Sequence, residues 1–209
     1  MIMAVTGLIM LAFVVIHMLG NLKIFFGPAD FNHYAGWLRT IGTPILHDTW
    51  YLWIQRAVLT VALVAHIWAA WSLSVQDVRA RPVGYEARRK GSRSTWYMRS
   101  GGIVLLAFII YHLLDLSAGV LNPAVEGAGV YGRVVADFKV WYVVLAYTVA
   151  MVSLAYHVAH GLWSAANTLG VGSATTKAFQ SIAVASGVLL AAGFLLVPFC
   201  VVFGIVNAG

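Results

Sequence analysis

Long apolar stretches alternate with shorter polar segments along the whole chain. Five apolar stretches are long enough to cross a bilayer, whose hydrocarbon core of about 30 Å requires about 20 residues of α-helix. They run approximately over Ile2–Phe25, Tyr51–Val75, Ser100–Leu121, Val140–Trp163 and Phe179–Val206. None alternates polar and apolar residues as the strands of a membrane β-barrel do. The pattern predicts an all-α membrane protein, a single domain over residues 1–209 with five transmembrane helices.

Composition agrees with this prediction and excludes several other classes of protein. Of the 209 residues, 61% are hydrophobic and only 10% are charged, whereas a soluble domain carries about 25% charged residues. An ordinary soluble enzyme, a disordered chain and a nucleic-acid binder are therefore excluded. The single cysteine, Cys200, cannot form an internal disulfide or build an iron–sulfur or zinc site with other cysteines of this chain.

Positive charge sets the expected orientation in the membrane. Seven of the thirteen Lys and Arg residues lie between the second and third spans or at the edges of that loop: Arg79, Arg81, Arg88, Arg89, Lys90, Arg93 and Arg99. Short loops with such an excess stay in the cytoplasm, which favours this interpretation over a nucleic-acid patch. We expect a cytoplasmic N-terminus and an external C-terminus. The other connections are expected to be loops over Gly27–Trp50, Asn122–Lys139 and Ser164–Ala178.

An internal similarity relates the first two spans to the next two. Span one reads GLIMLAFVVIHML from residue 7 and span three reads GIVLLAFIIYHLL from residue 102, with six of thirteen positions identical. In span two, His66 follows Trp50 by sixteen residues, and in span four His157 follows Trp141 by sixteen. Because both pairs run in the same direction, the chain is predicted to contain a parallel repeat about an axis along the membrane normal.

Counting residues places four histidines at two depths. His17 lies about 15 residues along span one and His112 about 12 along span three, so both fall in the outer half. His66 and His157 lie about 15 and 16 to 18 residues down spans two and four, in the inner half. The result is two histidine pairs separated vertically by about 15 Å.

Two imidazoles that face each other inside a membrane are suited to bind the two faces of a b-type haem. Ionisable residues within spans are costly and usually functional, and bis-histidine ligation uses neutral imidazoles. Two pairs imply two stacked haems that carry electrons across the bilayer. A zinc site is disfavoured, because the two pairs lie too far apart to share one ion. A proton relay through the histidines, as in a transporter or channel without haem, remains the alternative.

One further histidine competes for the inner position. His160 lies three residues after His157, on a neighbouring face of the same helix. The equal spacing from tryptophan to histidine in spans two and four favours His157 as the ligand. His160 is interpreted as a residue behind the ligand or at an interface, while His33 and His47 are expected to be solvated or interfacial.

Six short stretches, in order along the chain, carry a resemblance to a known family. They are HMLGNL (17–22), FNHYAGWL (31–38), HIW (66–68), ARPVGY (80–85), SGGIVLLAFIIYHLL (100–114) and HVAHGLWSAANTLG (157–170). Their order and spacing, from His17 to Gly170, resemble the cytochrome b membrane-anchor subunit of succinate dehydrogenase/fumarate reductase, in its single-chain, five-helix, dihaem form.

The resemblance implies a role and a set of partners. His17 and His112 would bind the distal haem iron, and His66 and His157 the proximal one. The chain would sit in a bacterial inner (plasma) membrane and pass electrons between an iron–sulfur subunit and a quinone, for which menaquinone is expected. A separate flavoprotein subunit would oxidise succinate. The basic loop could dock the iron–sulfur subunit or anionic lipid. A dihaem cytochrome b subunit of another respiratory enzyme, such as formate dehydrogenase or nitrate reductase, is the closest alternative.

Candidate quinone residues follow from the same resemblance, which suggests a site near the distal haem. Asp115 lies one turn beyond His112, where a carboxyl group could carry quinone protons. Alternatively, Asp115 is an interfacial residue that snorkels or caps locally. Asp48, with His47 and Tyr34, is a weaker candidate. A cytoplasmic quinone site near Trp96, Arg99, Ser100 and Trp163 is the other option.

Two arginines are candidate partners for the haem propionates. Arg56, near the outer end of span two, could pair with the distal haem, and Arg99 could pair with the proximal haem. Both could equally be interface anchors that face lipid.

Overall fold

A computed structural model of the chain describes residues 1–80, 91–124, 127–171 and 176–207, without the side chains of residues 91–95. Within these ranges the chain forms helices and no strands. Five segments are long and apolar enough to cross a membrane: Ile2–Phe26, Trp50–Arg79, Trp96–Ser117, Trp141–Thr168 and Lys177–Val202. The prediction of an all-α chain with five membrane-spanning helices is confirmed at that level. Arg81, Arg88, Arg89 and Lys90 of the basic loop lie outside the described residues, as does the side chain of Arg93.

Seven α-helices are present in the described part of the chain. They are α1 (Ile2–Leu22), α2 (Pro28–Thr40), α3 (Trp50–Arg79), α4 (Gly91–His112), α5 (Gly129–Phe138), α6 (Trp141–Thr168) and α7 (Lys177–Val202). A 3₁₀ turn over Lys23–Phe26 extends α1, and a π-helical turn over Leu113–Ser117 extends α4. Several helices outrun the predicted spans, because helical hydrogen bonding continues into polar residues that a search for apolar stretches does not include.

Two of the segments expected to be loops contain short helices. Gly27, with φ of +95°, redirects the chain and Pro28 then occupies the first turn of α2, as is typical of proline. The helices α2 and α5 pack on each other, and the backbone N–H of Tyr131 donates to the Asn32 side chain at 3.0 Å. We call the end of the bundle that carries α2 and α5 the short-helix end. The opposite end, where α3 finishes and α4 begins, is the basic end.

Helix α6 is the centre of the bundle. It packs against α1, α4 and α7, while α1 also packs against α3 and α7. Gly187 of α7 lies so close to the Ala155 carbonyl of α6 that a methyl group there would clash. Small residues at such crossings let membrane helices approach closely. Most of the remaining surface of the long helices is apolar and faces outward, as lipid requires.

Candidate functional site

One histidine pair lies toward the short-helix end. The rings of His17 on α1 and His112, the last residue of α4, have centroids 5.9 Å apart. Phe13 stacks on His17 at 5.4 Å and Phe108 stacks on His112 at 5.7 Å. Each phenylalanine lies four residues before the histidine on the same helix, so the two rings stack on one helix face. This stacking restricts the orientation of each imidazole. Phe194 of α7 adds a third aromatic wall, 5.8 Å from His17.

The second pair lies closer to the basic end. The rings of His66 on α3 and His157 on α6 have centroids 6.2 Å apart. Glycines lie against both imidazoles. A Cβ added at Gly7 would lie 3.3 Å from His66 Cε1, and one added at Gly102 would lie 3.9 Å from His157 Cε1. These glycines are the first residues of the two similar span sequences, and their lack of a side chain lets the imidazoles lie against the neighbouring helix backbones.

The two pairs are separate sites at different levels of the bundle. Thr6, which contacts His66, and His17 lie on the same helix eleven residues apart, a rise of about 16 Å. On the third span, Gly102 beside His157 and His112 are ten residues apart, a rise of about 15 Å. The distance between the two levels is therefore about the same when it is counted along α1 and along the third span.

The spacing within each pair fits a metal bound between two imidazoles. With metal–nitrogen bonds of about 2 Å and about 1 Å more to each ring centre, trans imidazoles on one ion have centroids about 6 Å apart. The observed distances are 5.9 Å and 6.2 Å. Each pair offers two imidazole donors, the number that a b-type haem would take from the chain. The donor set therefore fits haem.

The two histidines of each pair come from helices whose main packing partners are other helices. In the described part of the chain, α1 and α4 are not among the helix pairs that pack closely, and neither are α3 and α6. Each is instead packed against other neighbours, α1 on α3 and α4 on α6. The imidazoles of each pair thus meet between helices that pack mainly on other neighbours.

His160 has different surroundings from His157. Its ring stacks on Tyr156, with planes 13° apart, and contacts Trp163 edge-on at 5.6 Å. The imidazole nearest to His66 is that of His157. The geometry therefore favours His157 as the inner partner of His66.

The other sequence candidates are spread over the surface. Arg56 lies over the Trp53 ring, 4.9 Å from its centroid. Arg99 pairs with Asp77 at 3.9 Å, and the side chains of this ion pair are both partly exposed. Asp48 is exposed in the turn before α3. The structure does not bring Asp48 together with Asp115, and the roles of Arg56 and Arg99 toward propionates stay predictions.

Asp115 is buried in the π-helical turn beyond His112. It is 0% exposed, so it does not snorkel to a surface, and it faces Asp137 of α5, which is 1% exposed. In the described part of the chain, Asp115 Oδ2 and both Asp137 oxygens receive no N–H or O–H donor. Two buried carboxyl groups that lie near each other disfavour each other's charge, which raises the pKa of one of them. Burial, and after it the neighbouring Asp115 carboxyl group, raises the pKa of Asp137 to about 8.

Sequence reasoning missed Asp137. The sequence does contain a sign of its burial, because Asp137 is the one acidic residue in the mainly apolar run VVADFKVW. An exposed loop would carry more polar residues than this run does. The Tyr111 hydroxyl also faces Asp115, and Asn122 Nδ2 donates to Asp115 Oδ1 at 3.4 Å. The two carboxyl groups therefore belong to a cluster of polar side chains, which come from the third span, from the segment after it and from α5.

The chain matched no model of a known protein family, no curated protein and no solved structure.

Among the described residues, no group of three or more His, Cys, Asp or Glu side chains is placed to hold a metal ion. The site with the most defined chemistry is therefore the two histidine pairs, each offering two ligands.

Proposed function

We propose that this chain is a dihaem cytochrome b that conducts electrons across a membrane. His17 and His112 would hold one haem, and His66 and His157 the other. The observation that carries the proposal is the meeting of four histidines from four helices in two pairs, with ring centroids 5.9 Å and 6.2 Å apart, at two levels of one helical bundle. Haem would supply one-electron chemistry at each level. The four histidines would hold the haem irons, and the apolar side chains around them would exclude water.

The parallel repeat predicted from the sequence is part of this proposal. Two parallel contacts support it, since Gly7 lies beside His66 and Gly102 lies beside His157. Each pair of spans also encloses one short helix, α2 or α5. A common ancestor unit of span, short helix and span would give each unit one histidine at each level.

The wider assignment is a membrane anchor of succinate:quinone oxidoreductase in a bacterial inner membrane. Its support is the resemblance of the six ordered sequence stretches, together with five helices that suit a multi-pass membrane protein. In this role the chain passes electrons between an iron–sulfur subunit and menaquinone, while succinate reacts on the flavoprotein subunit. Purification of the native complex followed by mass spectrometry tests the partners directly, and formate dehydrogenase or nitrate reductase chains would instead support the closest alternative.

The protein is expected to contain two haems per chain. A pyridine haemochrome assay on the fully loaded complex, divided by the protein concentration, measures this ratio. A reduced-minus-oxidised spectrum should show b-type bands. A ratio of one would remove one histidine pair from the proposal, and a protein that never binds haem would favour the histidine relay.

The loop that contains Arg89 is expected to face the cytoplasm, because short loops rich in positive charge are retained there. In a Cys200→Ala background, a cysteine introduced by Arg89→Cys should resist an impermeant thiol reagent added to intact cells. Ile45→Cys is the matched control, since Ile45 is 92% exposed at the short-helix end and should react. The reverse labelling pattern would invert the topology and exchange the inner and outer pairs.

A further inference from the structure

The Thr6 hydroxyl joins the first helix to a histidine of the inner pair. Thr6 is buried in α1, and its Oγ1 lies 3.2 Å from His66 Nδ1. The same oxygen lies 2.8 Å from the Ile2 carbonyl and 3.3 Å from the Met3 carbonyl. A threonine hydroxyl has one proton to donate and two lone pairs that accept. Carbonyl oxygens can only accept, so they compete with the imidazole for that proton.

The distances decide where the hydroxyl proton goes. The bond to Ile2, at 2.8 Å, has the length typical of a good O–H donor bond, about 2.7–2.8 Å, and it is the usual threonine bond to the preceding helical turn. With its proton on Ile2, Thr6 can only accept from His66. Nδ1 of His66 therefore carries the hydrogen, and in a neutral imidazole this leaves Nε2 with a free lone pair.

A similar contact occurs in the other pair. The Tyr147 hydroxyl on α6 lies 2.9 Å from His112 Nδ1 on α4, and Tyr147 is buried. In each pair, one imidazole is thus held by a hydroxyl group from a neighbouring helix. By contrast, Nδ1 of His157 is buried and has no hydrogen-bond partner in the described part of the chain.

We propose that Thr6 and Tyr147 are positioning residues, one for each haem. With Nε2 of the histidine bound to iron, its Nδ1 would carry the hydrogen and each hydroxyl would accept from it. This bond would fix the imidazole ring and increase its electron donation. A more basic axial ligand favours the oxidised iron, so each hydroxyl lowers the midpoint potential of its own haem. This inference rests on the proposed function, because it concerns how the protein holds and tunes haem.

The test is a pair of hydroxyl deletions read by redox titration of the haem absorption bands. Thr6→Val removes a hydroxyl while keeping the shape of the side chain, and Tyr147→Phe does the same on α6. We expect Thr6→Val to shift the potential of one haem upward and Tyr147→Phe to shift that of the other. Electron paramagnetic resonance of the oxidised protein should change for the same haem, because its spectrum reports imidazole orientation.

Two further variants separate this role from general packing. Thr6→Ser keeps the hydroxyl and should restore the native potential. Thr148→Val removes a hydroxyl whose bond among the described residues is to its own helix, at the Val144 carbonyl, 2.7 Å away. This variant should move the potential of neither haem. Loss of one haem in Thr6→Val that Thr6→Ser restores would support the proposal.

Failure of this inference can be told from failure of the proposed function. Two haems in the native protein, with potentials unmoved in both Thr6→Val and Tyr147→Phe, would overturn only the positioning role. Both variants shifting the same haem would also overturn it, since the hydroxyls lie at different levels. A native protein without haem would overturn both.

Discussion

Replacing His157 with alanine is expected to remove one haem and leave the other bound. A methyl group cannot bind iron, and the cavity left behind is too large for the surrounding side chains to close. The pair of His17 and His112 lies about 15 Å further along the helices and shares no ring contact with His157 among those observed. The haem-to-chain ratio should therefore fall from two to one, measured by pyridine haemochrome assay on the purified variant.

His160→Ala is the matched control for this loss. The two residues lie three positions apart on α6, but the His160 ring packs against Tyr156 and Trp163. The control variant should retain both haems, with at most a shifted potential. If instead His160→Ala lost a haem and His157→Ala kept two, the pairing of His66 with His157 as ligands would be wrong.

The buried carboxyl pair is expected to make the stability of the protein depend on pH. The pKa of Asp137 is raised to about 8 in the fold, against about 3.9 for an unfolded aspartate. Between these values the folded chain holds a proton that the unfolded chain has released, so stability falls as pH rises from about 4 to about 8 and then levels off. The total change should be on the order of a few kcal/mol.

Asp137→Asn should abolish most of this dependence. The amide is neutral at every pH, so folding no longer requires residue 137 to hold a proton. Thermal unfolding of the detergent-solubilised protein over a range of pH would show a flatter profile and a higher midpoint on the alkaline side. Asp48→Asn, at an exposed position, should leave the profile unchanged. Equal slopes in the native protein and Asp137→Asn would show that the pair does not hold a proton.

Much of the architecture was predictable because it depends on local properties of the chain. An apolar stretch of about 20 residues forms a membrane-spanning helix whatever it packs against. A fixed rise per residue likewise turns sequence position into depth, so His17 and His112 could be assigned to one level and His66 and His157 to another before any contact was known. The four histidines come from four helices, and in the structure they meet in those two pairs.

Tertiary structure alone decided the features that depend on how each helix is rotated about its axis. Thr6 and His66 are sixty residues apart, and only the packing of α1 on α3 brings the hydroxyl to the imidazole. Asp137 was hidden in a segment expected to be a loop, because a short helix has no span-length apolar signal. Its burial against Asp115 arises where α5 folds back over the end of the third span, and depth along a helix carries no information about such a contact.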